Sequence, residues 1–339
     1  MNILLISPLP PPVGGIATWT EEYCERIAAM GHHVRVVNTA VTGKRAAQNR
    51  RFLLDELRRT HKVFSNMRSA IREEKFDIVH VNTACSKFGL LRDVCCLLMA
   101  GKTKTILHCH CNVEDQIGTG KLGRKLLAFA VKRADHVLVL NQRSHAFIRS
   151  NGCDNVQIVP NFIDKKLLAE KHAVAEHGEI MLYVGHILRT KGFFEILEAA
   201  RALPQIQFWM VGPTCMELDD VEIPENVTMY GAKPRSEVME MMKQADVFLF
   251  PSYTEGFSKA VLEAMACGLP VIASDVGANR DMLEDRGGII IPPQDSNAII
   301  HAISQIQDAQ LRQCMSEWNI QKVADCYTTD AVLQKITTI

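Results

Sequence analysis

The sequence predicts an α/β protein of two domains in tandem, each with a parallel sheet wound between helices. Short apolar runs of strand length alternate with helical stretches along the whole chain, a pattern typical of parallel, doubly wound sheets. With 339 residues the chain is also too long for one ordinary hydrophobic core. A hydrophobic content of 47% is that of a folded globular protein.

Each half of the chain contains six strand-like runs. In the first half they are residues 3–6, 34–37, 77–81, 103–108, 136–140 and 156–159. In the second half they are residues 180–184, 207–211, 227–230, 247–250, 271–273 and 288–291. Charged and small residues replace the apolar pattern between Pro160 and Ile180, which favours a hinge there. We therefore expect domains at about 1–165 and 166–317.

The two halves carry opposite charge although the whole chain is neutral. Residues 1–165 contain 24 Lys and Arg against 14 Asp and Glu, a balance of +10, and the remainder has −10. Much of the excess lies in residues 44–72. Such a basic stretch is a solvated surface, a contact for anionic lipid headgroups or a site for an anionic substrate. No nucleic-acid-binding motif accompanies it, so a nucleic acid partner is disfavoured.

Other features narrow the class of protein. Apolar runs stay well short of the roughly 18 residues that a membrane-spanning helix needs, and residues 1–8 lack the basic start of a signal peptide. We therefore expect a cytoplasmic protein whose eleven cysteines are reduced. The run His108-Cys109-His110-Cys111 alternates across a strand, so its side chains cannot converge on one metal ion.

The most informative stretch is residues 245–275. A strand-like run ends at Phe250, an acidic loop follows, and Ser258 is a suitable N-cap for a helix that ends at Gly268. Between residues 260 and 273 every side chain is apolar or small except Glu263. A carboxylate on so buried a helix needs a partner, which is either a neighbouring loop's amides or a ligand's hydroxyls. The helix N-terminus would suit a phosphate.

Glu255 and Glu263, with seven residues between them and the run Ala264-Met265-Ala266-Cys267-Gly268-Leu269-Pro270 after them, resemble the paired-glutamate signature of retaining glycosyltransferases of family four. The resemblance implies the GT-B fold, in which two Rossmann-like domains face a cleft and the last helix, here 318–339, crosses back to the first domain. It also implies that Glu263 binds the ribose of a nucleotide sugar, that Glu255 meets the donor sugar, and that Gly256, Phe257 and Ser258 belong to the donor site.

Further loops extend the resemblance. Gly14-Gly15 opens a helix and is similar to the family's first glycine-rich loop, and His110 aligns with a histidine that reaches the donor sugar, with His108 as support. The second glycine loop begins at Gly185. Lys191 stands where family members grip the diphosphate, but His186 replaces the usual arginine, so Arg189 is an alternative. Gly231 lies in a turn that resembles the one meeting the nucleobase.

The resemblance implies transfer of a sugar from a nucleoside diphosphate sugar to a glycan or lipid-linked acceptor, with retention of configuration, in cell-surface polysaccharide or lipopolysaccharide synthesis. We expect no metal or other cofactor, because cationic side chains and a helix N-terminus would stabilise the departing diphosphate. The basic 44–72 stretch would touch an anionic membrane from the cytoplasmic side. Rival interpretations are a phosphorylase or epimerase of the same architecture, and a non-catalytic nucleotide-sugar-binding protein.

Overall fold

The computed structural model describes residues 1–11, 14–40, 53–118, 120–169 and 174–339. It divides into two compact units. The first unit comprises Met1–Pro160 together with Lys335–Ile339, and the second comprises Asn161–Gln334. Lys44, Arg45, Arg50 and Arg51 of the basic stretch lie outside the described residues.

The first unit contains one parallel six-stranded sheet in the order β2-β1-β3-β4-β5-β6. Its strands are β1 (Asn2–Ser7), β2 (His33–Asn38), β3 (Ile78–Thr83), β4 (Lys104–Cys109), β5 (His136–Val139) and β6 (Val156–Ile158). Its helices are α1 (Gly15–Ala29), α2 (Leu53–Glu73), α3 (Lys87–Met99), α4 (Val113–Ile117), α5 (Lys121–Arg133) and α6 (Gln142–Ser150).

Both faces of this sheet are covered. Leu4, Val79 and Leu107 belong to one core with buried side chains of α2, α3 and α5. The other face packs on α1, whose Trp19 and Tyr23 contact His80 and His108 of the strands. A sheet buried on both faces explains why its strands read as continuous apolar runs in the sequence.

The second unit repeats this plan with the sheet order β12-β11-β10-β7-β8-β9, again all parallel. Its strands are β7 (Ile180–Val184), β8 (Gln207–Val211), β9 (Val227–Gly231), β10 (Val247–Phe250), β11 (Val271–Ser274) and β12 (Gly288–Ile291). Its helices are α7 (Phe193–Ala202), α8 (Arg235–Gln244), α9 (Lys259–Ala266), α10 (Asn279–Leu283), α11 (Ser296–Gln305), α12 (Ala309–Cys326) and α13 (Thr329–Thr337), of which the last also enters the first unit. Residues 165–167 and 189–191 form short 3-10 helices.

The predicted fold class is confirmed: all twelve strands are present, with ends that differ from the predicted ones by at most two residues. The predicted 318–339 helix is instead the end of α12 followed by α13, with a break at Tyr327 and Thr328. Among the described residues, no helix combines the length and the apolar composition that crossing a bilayer requires.

Candidate functional site

Loops of the second unit approach one another closely where they leave the carboxyl ends of its strands. A Cβ atom at Gly192 would lie 2.3 Å from the Pro251 carbonyl oxygen, and one at Gly277 would lie 2.5 Å from the Glu255 carbonyl oxygen. Both glycines have positive φ angles, of 79° and 56°. The loops that follow β7, β10 and β11, which are neighbours in the sheet, therefore meet at one edge. This edge is where open parallel sheets bind ligands.

Lys191 and Glu255 are brought together at this edge. The Lys191 ammonium donates to Oε1 of Glu255, and the buried Ser252 hydroxyl donates to the same oxygen at 2.8 Å. Both charged side chains are largely shielded, with 26% and 13% of their surface exposed. Two side chains predicted for the diphosphate and for the donor sugar thus neutralise each other in the structure.

The rest of the second glycine loop is more open. Gly185 follows β7, and its N–H donates to the Val211 carbonyl at 2.9 Å. His186 is exposed, and its carbonyl accepts a 2.8 Å hydrogen bond from the Tyr183 hydroxyl. The guanidinium of Arg189, an exposed residue, lies 4.5 Å from the centre of the Phe194 ring. Both candidates for the arginine role are therefore accessible to a ligand.

Glu263 has a side-chain partner that the sequence did not identify. Its Oε1 lies 2.6 Å from the guanidinium of Arg235, the first residue of α8. Glu263 is 15% exposed and Arg235 is 47% exposed, so the ion pair opens to solvent on the arginine side. A ligand could therefore reach the carboxylate without entering the core.

The helix that carries Glu263 begins as predicted. Ser258 is the N-cap of α9, and its hydroxyl accepts from the Val261 N–H at 3.3 Å. The Phe257 side chain is buried and packs on Tyr327, with ring centres 5.6 Å apart. At this position only the main chain is left for a ligand. Gly256 is half-buried beside it, and Gly268 has a positive φ of 77° just after the helix.

Gly231 ends β9 at the same edge of the sheet. Its φ is 67° and its carbonyl accepts from the Gly212 N–H at 2.9 Å. A Cβ there would meet no atom within 4 Å. The main chain of this turn is therefore open on the side where a side chain would otherwise stand.

Two contributors were missed from the sequence, Arg235 and Ser252. Arg235 opens a helix, where a positive charge opposes the helix dipole. This conflict is a sequence signal that could have singled out Arg235 as a candidate, although not its partner. Ser252 follows a buried strand and gave no comparable signal.

In the first unit the candidate residues are Gly15 and His110. Gly15 begins α1 after the extended Gly14. His110 follows β4, and its N–H donates to the Thr83 carbonyl at 2.8 Å. The His110 ring centre lies 4.0 Å from that of His108 and 4.7 Å from that of Trp19. His110 thus belongs to a ring cluster, which consists of Trp19, Tyr23, His80, His108 and His110.

The buried members of this ring cluster carry no charge. Burial lowers the pKa of His80 to about 3. Burial, with His110 and His80 nearby, holds the pKa of His108 well below its usual range. Burial likewise raises the pKa of the Tyr23 hydroxyl. The cluster therefore supports His110 through packing, because it has no charge with which to attract a ligand.

The intervening cysteines of the same strand face the other way. Cys109 and Cys111 belong to the opposite core, together with Cys85, as strand alternation requires. A hydrogen bond with the Cys85 thiol, together with burial, raises the pKa of both Cys109 and Cys111. In the described ranges, no group of three His, Cys, Asp or Glu side chains is arranged to hold a metal ion.

The first unit also has a cavity of about 270 Å³ at the carboxyl ends of β1 and β3. Arg92, which is 8% exposed, lines it and pairs with the fully buried Asp93 at 2.9 Å. Arg59 lines it as well and pairs with Glu56 at 3.2 Å. The start of α3, capped by Ser86, completes the wall. Two shielded guanidinium groups and a helix N-terminus would suit an anionic group, which would take the place of the Glu56 carboxylate that also lines the cavity.

Two family models match most of the chain. The model described as Glycosyltransferase Family 4 matches residues 13–167, and the one described as Glycosyl transferases group 1 matches residues 164–321. The match of the second model includes the Glu255 and Glu263 segment.

Curated relatives extend over both units. An N-acetyl-alpha-D-glucosaminyl L-malate synthase from Bacillus anthracis is 22% identical, over 97% of this chain and 94% of its own length. A UDP-Gal:alpha-D-GlcNAc-diphosphoundecaprenol alpha-1,3-galactosyltransferase from Escherichia coli is 25% identical, over 85% of this chain and 82% of its own. Among solved structures, a sucrose-phosphate synthase from Thermosynechococcus elongatus matches with a TM-score of 0.82 at 20% identity, over 99% of this chain and 97% of that one. At that identity the likeness shows a shared fold.

Proposed function

Because this chain belongs to the glycosyltransferases of the GT-B fold, we propose that it transfers a sugar from a nucleoside diphosphate sugar to a lipid-linked glycan, with retention of configuration. One observation carries the donor half of this proposal. The second unit holds two carboxylates, each paired with a cation, beside a capped helix N-terminus at the carboxyl edge of a parallel sheet.

The Lys191 and Glu255 pair can exchange partners when the donor binds. The diphosphate would take the Lys191 ammonium, because it carries more negative charge than one carboxylate. Glu255 would then be free to accept hydrogen bonds from the donor sugar. Negative charge grows on the diphosphate as the glycosidic bond loosens, so Lys191, with Arg189 or His186 and the N–H groups at Ser258, stabilises the transition state.

The nucleoside would lie on the neighbouring loops. Glu263 would accept from the ribose hydroxyls while Arg235 holds its carboxylate in place, and the turns at Gly185 and Gly231 would present main-chain groups. Because positive side chains and a helix dipole serve the diphosphate, we propose that no metal or other cofactor is required. In the first unit His110 would position the sugar, with Gly15 near the acceptor. Retention would follow from front-face attack, and we assign no enzyme nucleophile.

The acceptor half of the proposal rests on the cavity of the first unit. Its guanidinium groups suit a phosphate or diphosphate, and the Escherichia coli relative is named for a diphosphoundecaprenol-linked acceptor. We therefore propose an acceptor of that chemical class, used in cell-surface polysaccharide or lipopolysaccharide synthesis. We further propose a cytoplasmic enzyme that touches the membrane through the basic 44–72 stretch.

The donor site is tested first by thermal shift with UDP-, GDP-, ADP- and CMP-sugars. One nucleotide class should raise the melting temperature of the wild type, and Glu263→Ala should abolish this rise. Arg235→Gln breaks the same ion pair but keeps the carboxylate that would meet the ribose, so it should reduce the rise without abolishing it. Equal loss of the rise in both variants would show that the carboxylate makes no contact of its own with the donor. No rise with any nucleotide sugar would contradict the proposed donor class.

Turnover is tested next, with the nucleotide sugar that binds and a short-chain polyprenyl diphosphate glycan. Release of nucleoside diphosphate that depends on the acceptor would support transfer, and the anomeric proton signal of the product would test retention. Binding of the donor without any turnover would favour the non-catalytic interpretation.

A further inference from the structure

Large apolar side chains are exposed mainly on three helices of the first unit. Twelve such residues are exposed in the described part of the chain. Eight of them are on α2, α3 or α5: Leu54, Leu57, Ile71, Phe88, Leu91, Leu98, Leu122 and Phe129. Their exposed fractions range from 38% to 68%. Single exposed apolar residues are normal on a protein surface, but a concentration of this kind marks an interaction surface.

The three helices form one continuous surface. α3 packs against α2 on one side and against α5 on the other, and all three bury their inner residues in the same core. Along α3, the exposed Phe88, Leu91 and Leu98 share a stripe with the half-buried Cys95, at the spacing of one helix face. We call the outward surface of α2, α3 and α5 the docking face.

The docking face is also strongly basic. Its exposed charged residues include nine Lys and Arg: Arg58, Lys62, Arg68, Arg72, Lys87, Lys121, Arg124, Lys125 and Lys132. Among the described residues of these three helices, Glu73 is the only exposed acidic residue, and it pairs with Arg35 at 2.7 Å. α5 contains no acidic residue at all. Apolar side chains surrounded by cations are the pattern that binds an anionic lipid surface.

We propose that the docking face binds the surface of an anionic lipid bilayer, with Leu91, Leu98, Leu122 and Phe129 entering the headgroup boundary. A second copy of this chain fits the face less well, because two such surfaces would place like charges opposite each other. Phe88 belongs both to the docking face and to the wall of the cavity. The cavity therefore borders this face, where the diphosphate of a lipid-linked acceptor would be presented; this last step rests on the proposed function.

Vesicle flotation of the purified full-length protein tests the docking face. We expect binding to vesicles of phosphatidylcholine with phosphatidylglycerol at low salt, and little binding to phosphatidylcholine alone. The double variant Leu91→Glu/Leu98→Glu should bind at least about tenfold more weakly, because it places charge where apolar insertion is needed. Met30→Glu is its matched control, since Met30 is 46% exposed in the same unit, just after α1 on the other side of the sheet.

A second pair of variants tests the charge separately. Lys121→Gln/Arg124→Gln/Lys125→Gln should weaken binding at least about tenfold and reduce its dependence on salt. Lys165→Gln/Lys166→Gln, which removes exposed lysines of the second unit, should leave binding unchanged. All variants should keep the wild-type melting temperature, because every substituted side chain is exposed.

Some results would overturn the proposal. They are failure of the wild type to bind anionic vesicles, equal binding by the docking-face variants, or a wild-type oligomer that Leu91→Glu/Leu98→Glu converts to monomers while vesicle binding persists. Flotation needs no donor, so its outcome is independent of the nucleotide-sugar test. A protein that turns over a short-chain acceptor but ignores vesicles would refute the docking face alone.

Discussion

Lys191 and Glu255 of the second unit neutralise each other, whereas His110 of the first unit lies against rings whose buried members carry no charge. The second unit repeats this arrangement in Arg235 and Glu263. Charged candidates are thus held by partners that a ligand can replace, whereas the histidine packs against uncharged rings. Under the proposed function, the second unit would contribute electrostatic stabilisation and the ring cluster of the first unit would contribute shape.

The Lys191 and Glu255 pair depends on the close approach of the loops that carry it. Gly192 has a φ of 79°, and a Cβ there would overlap the Pro251 carbonyl. Gly192→Ala should therefore lower the free energy of unfolding by about 3 kcal/mol, from left-handed backbone strain and steric overlap together. Chemical denaturation, followed by the fluorescence of the second unit's tryptophans, measures this loss of stability.

Gly231→Ala is the matched control for Gly192→Ala. Gly231 has a similar φ of 67°, but a Cβ there would meet nothing within 4 Å. The substitution should lower the free energy of unfolding by only about 1 kcal/mol, which is the contribution of left-handed backbone strain alone. Equal losses for the two variants would mean that the loops do not constrain each other, and the paired arrangement of Lys191 and Glu255 would lose its steric basis.

The pair itself is broken by Glu255→Gln. The shape of the side chain is kept while the charge that would meet the donor sugar is lost, so turnover should fall about 100-fold, which corresponds to about 2.7 kcal/mol. Donor binding should persist, because Lys191 no longer has a competing carboxylate. Initial rates of nucleoside diphosphate release and thermal shift with the donor separate the two effects.

Glu240→Gln is the control for charge removal in the same unit. Glu240 pairs with Lys243 at 2.7 Å on the surface, with both side chains about 60% exposed. Surface pairs contribute little, so neither turnover nor stability should change. The exchange of partners would be contradicted if Glu255→Gln lost donor binding while the enzyme that still bound donor turned over at the wild-type rate.

The sequence predicted these local features well because local patterns determine them. The apolar runs identified every strand, and Ser258 identified the start of α9. The sequence also showed that Glu263 needs a partner, but it could not identify Arg235 as that partner. The two side chains meet only because β9, which leads into α8, lies in the same sheet as β10, and strand order is set by tertiary packing. The break between α12 and α13 was missed because no glycine or proline marks it.

The uncharged state of the ring cluster can be tested by pH. His80 has a pKa of about 3 in the folded protein against an ordinary 6.5. Between these values the unfolded chain binds a proton at His80 that the folded chain does not, so stability falls as pH falls below about 6.5. Each such histidine contributes a slope of about 1.4 kcal/mol per pH unit, and His108 acts in the same direction.

His80→Phe should therefore reduce this slope by about 1.4 kcal/mol per pH unit between pH 6 and 4, whatever constant cost the larger ring adds. Tyr23, Trp19 and His108 face His80, and the Tyr23 hydroxyl stays protonated throughout because burial raises its pKa. Urea unfolding at successive pH values measures the slope, with the exposed His301→Phe on α11 as control. An unchanged slope would mean that the folded cluster accepts a proton at His80. The first unit would then hold charge near His110 after all, and its contrast with the paired charges of the second unit would fail.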